Sequence, residues 1–492
     1  MNAARQLHAV VIGSGFGGLA AAIRLGARGY RVTILERLDA PGGRAYVHKQ
    51  DGFSFDAGPT IVTVPFLFEE LWELCGRKMS DDVTLAPLDP FYRIVFDDGS
   101  HFDCSGDPDK MRAEIARISP QDVKGYEAFL KASEDRYWYG FEVLGNMPFT
   151  NFTDMVKALP KLAALRSDRS VWRAVCRYVK DQRLRIVLSF HPLFIGGNPL
   201  SVTSVYILIS YLERRWGVHF AMGGTGALVQ GLLGLVESQG NHIRYNATVD
   251  KIDVVNGHAT GVTLESGETI SADLVVSNAD IAWTYSNLLR DVPRRRWTDR
   301  KVDSLDYSMG VFVWYFGTNR RYDNLEHHTV LMGPRYEELL KDIFKRKKLA
   351  DDFSIYLHRP TATDPSLAPD GCDAFYALSP VPHLDADVDW ETMAEPYRKA
   401  IEARLEERLM PGLSKSIVTS HVTHPRDFAN RLLAWRGAAF GPEPLLTQSA
   451  WFRTHNKSEE VDNLYFVGAG THPGAGMPGV LASAKILNLV LA

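Results

Sequence analysis

Hydrophobic and polar positions follow two regimes along this 492-residue chain. Short, almost wholly apolar runs bounded by glycine or charge read as strands buried on both faces, as in a parallel sheet. Residues 8–12 (HAVVI), 31–35 (RVTIL), 274–277 (LVVS) and 463–467 (NLYFV) are of this kind. Helical periodicity predicts a small-residue helix that ends at Gly29 and further helices over 65–75, 108–118, 121–144, 227–239, 390–410 and 481–491. A second set of runs, 91–96, 101–104, 309–316, 353–358 and 374–380, reads as another sheet, with Asp97-Asp98-Gly99-Ser100 as a turn. Residues 243–252 and 259–264 are joined by Asn256-Gly257, a hairpin signal.

The first strand runs directly into Gly13, Gly15, Gly17 and Gly18. In the spacing G-x-G-x-x-G, Gly13 permits a tight turn and Gly15 lets backbone N–H groups approach a pyrophosphate. Gly18 lets the next helix lie close on the strand, and that helix adds the positive end of its dipole. The second strand ends at Glu36 and Arg37, and a carboxylate at this distance past the glycines accepts hydrogen bonds from an adenosine ribose. Gly42, Gly43 and Arg44 then add a second glycine pair with a cation, followed by Phe55-Asp56-Ala57-Gly58-Pro59-Thr60. A nicotinamide site needs no such second loop. Flavoproteins of the glutathione-reductase and amine-oxidase type use one to hold the rest of FAD.

A net charge of −4 gives no basic character, which argues against nucleic acid as a partner. The four cysteines are far apart with no C-x-x-C pair and read as free thiols of a reducing compartment. The first strand begins too early for a signal peptide, and no run is apolar enough to span a bilayer, so any membrane contact is expected to be peripheral. Residues 154–185 stand out, with nine cations against three acids and apolar residues at helical spacing between them. Two readings fit: a basic amphipathic surface for an anionic bilayer, or a solvated charged face over an ordinary core. Residues 186–212, aliphatic and aromatic around Gly196-Gly197-Asn198-Pro199, either line an apolar cavity or fill a core.

The closing stretch, Gly468-Ala469-Gly470-Thr471-His472-Pro473-Gly474-Ala475-Gly476-Met477-Pro478-Gly479-Val480, is again a strand running into glycine turns and a helix. Such a junction points backbone N–H groups at a cofactor. Together with Pro41-Gly42-Gly43-Arg44, Gly223-Gly224-Thr225-Gly226, Ser277-Asn278-Ala279-Asp280 and Leu446-Thr447-Gln448-Ser449-Ala450-Trp451-Phe452, it resembles the bacterial phytoene desaturases of the carotenoid/retinoid oxidoreductase family over essentially the whole chain.

The resemblance implies an α/β fold, α+β overall. A Rossmann-like FAD-binding domain (1–75, 223–290 and 431–492) would accompany a discontinuous mixed-sheet substrate domain (76–124 and 291–430) and a helical membrane-associating part (125–222). The cofactor-binding residues it implies are Gly13, Gly15, Gly17, Gly18, Glu36, Arg37, Gly42, Gly43, Arg44, Gly58, Pro59, Thr60, Val249, Gly470, Thr471, Gly476, Met477, Pro478 and Val480. The activity it implies is FAD-dependent, repeated hydrogen removal from phytoene, leading to lycopene. Neurosporene-forming or other C40 or C30 desaturases, a polyene isomerase or saturase, and a prenyl-binding carrier are the alternatives. A carboxylate beside the polyene is expected to stabilise charge or take the proton. Asp154, in the family's F-x-D-M pattern, is the candidate, with Lys157 at i+3 where relatives tend to show arginine; the competing reading makes Asp154 a helix cap. The expected partners are C40 polyenes, an anionic membrane surface on the cytoplasmic side, and quinone or oxygen as electron acceptor.

Overall fold

The computed structural model describes residues 5–491. Five parallel strands form one sheet in the spatial order Leu464–Phe466, Leu274–Ser277, His8–Ile12, Arg31–Leu35 and His242–Arg244. Every residue of the central strand His8–Ile12 is buried, because both faces of the sheet are covered. Side chains alternate across a strand. Ala9 and Val11 therefore join a core with helices Phe16–Ala27, Thr225–Ser238 and Met477–Val490. Val10 and Ile12 face the antiparallel strands Val249–Val255, His258–Leu264 and Thr269–Ser271. The first and last helices pack together, which brings the glycine loops at the two ends of the chain side by side.

A seven-stranded sheet runs in the order Ile417–Thr423, Gly310–Thr318, Asp373–Val381, Ile355–His358, His328–Leu331, Tyr92–Val95 and His101–Cys104. It is mixed, because His328–Leu331 pairs in parallel with Tyr92–Val95 and antiparallel with Ile355–His358. All nine residues of Gly310–Thr318 are buried. Phe312, Trp314 and Phe316 pack outward with Trp390, Tyr397 and Leu405 of the helix Trp390–Arg408. Val311, Val313 and Tyr315 point to the opposite face.

The structure corrects several predicted elements. Residues 121–144 are not one helix: Val123–Arg136 passes into a π-turn, Tyr137–Phe141, and a short 3-10 turn, Leu144–Asn146. Gly140 sits within that π-turn, where a Cβ would lie 2.8 Å from Val205. Residues 243–252 are not one strand either. Asn246, with φ +52°, turns the chain out of the parallel sheet into the antiparallel one. The last helix starts at Met477, four residues before the predicted 481, because Pro478 in its first turn has no N–H to satisfy. The basic stretch forms three helices, Phe152–Ala164, Val171–Val175 and Gln182–Ser189. No helix among the described residues is long and apolar enough to cross a membrane.

Trp314 is fully buried and stacks on Phe316 at 4.1 Å, away from the inner face of its strand. Trp314→Ala is expected to cost about 3–5 kcal/mol in denaturant unfolding. A loss below about 1 kcal/mol would contradict the packing described.

Candidate functional site

The carboxyl ends of three neighbouring strands converge, and the chain leaves each through a glycine or a small polar residue. Gly13 has φ +89° and Gly468 has φ +102°. The side chain of Asn278 lies between these turns. A Cβ on Gly17 would sit 2.6 Å from Asn278 Oδ1 and 3.1 Å from Gly468 Cα, and one on Gly15 would sit 3.0 Å from Asn278 Nδ2. Gly18 serves packing alone, since its Cβ would lie 2.0 Å from the Gly13 carbonyl oxygen. The 12-residue helix Phe16–Ala27 starts at this point with Gly15 as its N-cap and no side-chain cap. Its first N–H groups are therefore free to face an anion.

One cavity of about 620 Å³ runs from this cleft between the two large sheets. At the cleft end it is lined by Gly13, Gly15, Gly17, Glu36, Arg37, Gly42, Gly43, Arg44, Gly58, Pro59, Thr60, Val249, Gly470, Gly476, Met477, Pro478 and Val480. Of the expected cofactor residues, only Gly18 and Thr471 do not line it. Thr471 is buried behind the loop, where its N–H donates to Gly468 O at 3.2 Å. Glu36 is buried, and its Oε2 accepts from Ser14 N at 2.9 Å and Ser14 Oγ at 2.6 Å. Its Oε1 accepts from Leu38 N at 2.9 Å. Arg37 donates to the carbonyls of Asn430 and Arg431.

Arg44 and Asp280 both line the cleft. Burial lowers the Arg44 pKa and the Asp280 charge opposes that shift; burial raises the Asp280 pKa against the pull of Arg44. Arg44 Nε is buried without a protein partner. A cation with an unsatisfied donor, glycines with no room for a Cβ and a free helix N-terminus together suit an elongated, doubly phosphorylated cofactor.

The rest of the cavity is apolar. Phe190, Phe194, Leu208, Ile209 and Leu212 line it from 186–212, while Val187, Leu188, Val202 and Ile207 of the same stretch pack into the core, so both readings of that stretch hold in part. Val311, Val313, Met309 and Leu378 form the sheet side, and Leu339, Leu340 and Ile343 contribute from 336–346. The few polar groups on this wall are tied down. Glu213 accepts from Tyr92 OH at 2.6 Å, and Tyr376 OH shares a 2.7 Å bond with Thr60 Oγ1.

Asp154 and Lys157 are not on the cavity wall. Asp154 occupies the third position of helix Phe152–Ala164 and returns a capping-box bond to Asn151 N at 3.3 Å; Asn151, not Asp154, is the N-cap. Lys157 is exposed. From the same helix Met155 and Leu162, on its buried face, reach the cavity.

Three residues that sequence reasoning left out shape the cleft. Asn278 was visible only as part of Ser-Asn-Ala-Asp after a strand. Buried Arg453 donates to Ala469 O at 2.6 Å and to Pro442 O at 3.3 Å, pinning the last glycine loop, and no local motif announced it. His472, with its pKa pushed down to about 3 mainly by burial, donates from Nε2 to Leu144 O at 3.0 Å and so ties that loop to the helical part.

Comparison with known proteins agrees with this geometry. Residues 16–486 match the family described as flavin containing amine oxidoreductase. A neurosporene-forming phytoene desaturase from Cereibacter sphaeroides is 54% identical over 485 residues, covering 98% of this chain and 93% of that one. A lycopene-forming phytoene desaturase from Pseudescherichia vulneris is 49% identical over 477 residues, covering 97% of both chains. In fold, an oxidoreductase from Methanosarcina mazei superposes with a TM-score of 0.66 at 20% identity, covering 97% of this chain and 99% of that one. With its FAD-binding fold, the chain belongs to the flavin containing amine oxidoreductases and, among them, to the family of the bacterial phytoene desaturases.

Proposed function

We propose that this protein is an FAD-dependent phytoene desaturase of carotenoid biosynthesis that works at an anionic membrane surface. The observation that carries the reading is a single cavity joining a glycine-lined, dinucleotide-shaped cleft to an apolar arm with almost no free polar group. Bound FAD supplies the acceptor for the electron pair and one hydrogen taken from the polyene. In this reading Gly13 to Gly17 and the following helix hold the pyrophosphate, and Glu36 takes the ribose hydroxyls. Arg44, balanced by Asp280, supplies positive charge, while 58–60 and 470–480 flank the ring system. A hydrocarbon offers nothing to hydrogen-bond, so the arm binds it by burial alone, at about 25 cal/mol per Å² of apolar area. The proposal keeps the three-part division of the chain given above and assigns no role in the chemistry to Asp154 or Lys157.

Substrate entry is proposed at the helix Phe152–Ala164. Its outer face exposes Phe152, Val156 and Leu159 at 49–55%, with Lys157 and Lys161 beside them. Its inner face lines the cavity through Met155 and Leu162. Phe452, on a turn that packs against this helix, is exposed as well. A peripheral position on the cytoplasmic face, with quinone or oxygen reoxidising the cofactor, completes the reading. The higher identity to a neurosporene-forming relative than to a lycopene-forming one favours neurosporene as end product over the lycopene implied by the motifs.

Three outcomes are expected. Holoenzyme on anionic liposomes loaded with phytoene and a quinone should develop visible polyene bands only when FAD is present, with band positions giving the conjugation length. Bound FAD without any pigment would reject desaturation. Gly15→Val should purify without flavin, because its side chain meets Asn278 and fills the approach to the cleft; full FAD occupancy in this variant would remove the proposed pyrophosphate site. Replacing Val156 and Leu159 by glutamate removes side chains each worth roughly 1.5–3 kcal/mol when fully buried. Binding to anionic vesicles, measured by sedimentation, should then fall by at least about tenfold, and unchanged binding would place the docking face elsewhere.

A further inference from the structure

Three histidines unused in the reading above, His327, His328 and His358, are packed together behind the cavity wall and excluded from solvent. His328 and His358 are opposite one another on neighbouring strands. Tyr356 lies two residues before His358, on the same face of its strand, and lines the cavity. Its hydroxyl shares a 2.8 Å hydrogen bond with His328 Nδ1. The rings of His328 and His358 stack at 5.1 Å, and Nε2 of the first and Nδ1 of the second have no protein partner. One nitrogen from each of the three rings lies within 4.8 Å of the other two, a separation a single water can bridge. His358 Nε2 meets His327 Nε2 at 3.1 Å, and His327 Nδ1 meets Thr363 Oγ1 at 2.6 Å. Thr363 is only partly buried, so the series begins at the cavity and ends at the surface.

Desaturation creates a need for such a route. Of the two C–H bonds broken, one yields its electron pair and hydrogen to the flavin. The electron pair of the other becomes the new π bond, and its proton has to leave an arm walled mainly by apolar side chains. We propose that Tyr356, His328, His358 and His327 form a proton wire that carries this proton from the polyene to solvent at Thr363, an inference that rests on the desaturase reading. The polyene proton passes to Tyr356 Oη as the phenol proton moves to His328 Nδ1. In the same concerted shift His328 Nε2 releases its proton through a water to His358, from which His327 and Thr363 deliver one to bulk, so each protein group ends the transfer with as many protons as it began with.

A C–H bond beside an electron-deficient polyene carbon is acidic enough for a neutral, weakly basic relay. Burial above all, then the neighbouring cationic and imidazole groups, depresses the pKa of His328 and His358 well below the ordinary range and takes that of His327 to about 3. The wire therefore rests uncharged and sets no cation against the positive charge that develops on the substrate. Thr60 Oγ1 lies 3.2 Å from Tyr356 OH and 2.7 Å from Tyr376 OH, holding the phenol where the cleft meets the arm.

The test uses FAD-loaded holoenzyme, with anaerobic flavin bleaching by phytoene followed in H₂O, D₂O and their mixtures. The wild type is expected to show a solvent isotope effect whose dependence on deuterium fraction is curved, as for several protons in flight. Tyr356→Phe and His328→Gln are expected to bleach about 10²-fold more slowly, with FAD occupancy and phytoene affinity unchanged and the isotope effect lost. A linear dependence in the wild type, or Tyr356→Phe with unaltered rate and isotope effect, would overturn the wire. So would an isotope effect abolished by Glu213→Gln and kept in Tyr356→Phe, or one equivalent of tightly bound metal on the histidines. Wild-type flavin that phytoene does not bleach would instead reject the desaturase reading and the wire with it. The curvature measurement needs no variant, so a misfolded substitution leaves the proposal open to refutation.

Discussion

The rest of the molecule depends on one steric constraint, the close approach of three chain reversals at the ends of parallel strands. Gly17 and Gly468 meet around the side chain of Asn278 with no volume left for a Cβ, and Gly13 turns beside them at φ +89°. This crowding brings the free N–H groups of the helix Phe16–Ala27 to the edge of the cleft. It also lets the first and last helices of the chain pack against one another. Residues more than 450 positions apart in sequence thus make one binding surface. Arg453 and Asn456 hold that arrangement from outside the cleft by donating to backbone carbonyls of the final loop and its helix.

A second constraint follows from placing a nucleotide-type cleft against an apolar arm. Polar groups cost free energy when buried without partners, and almost every one on the arm's wall has a partner. Glu213 is satisfied by Tyr92, and Tyr376 by Thr60. The strand Gly310–Thr318 shows how the arm is built, since one face completes an aromatic core with the helix Trp390–Arg408 and the other presents Val311 and Val313 to the cavity. Removing an outward aromatic therefore acts on stability, whereas a change on the inner face acts on what the cavity admits. The helix Phe152–Ala164 repeats this division at the surface, with one side toward the cavity and the other toward solvent.

Most of the cleft was legible in the sequence because its chemistry is local. A tight turn, a helix start and an acid at the end of the next strand lie within about thirty residues, and each requires particular residue types at particular spacings. The strands 8–12, 31–35 and 274–277 were readable for the same reason, their continuous burial leaving a continuous apolar run. Errors arose where a local pattern was interrupted by a contact from elsewhere. The helical periodicity of 121–144 gave no warning that Val205 would crowd Gly140, and Asn246 redirects a run that looks like one strand. Asp154 was misplaced because an acid in a helix's first turn reads the same whether it faces a substrate or closes a capping box, and the bond to Asn151 N selects the second.

The sequence by itself determined the strand-glycine-helix unit, the second glycine loop with its arginine, the closing glycine run and hence the flavin-binding character, all of which are properties of short contiguous segments. Tertiary structure alone decided that these segments form one surface and which residues of 186–212 wall a cavity and which fill the core. It alone brought Tyr356 and His358 beside His327 and His328. The physical reason is that a side chain's chemistry follows from its neighbours. For a histidine in a sheet those neighbours lie across the strand pairing, about thirty residues away in sequence, where no local pattern records them.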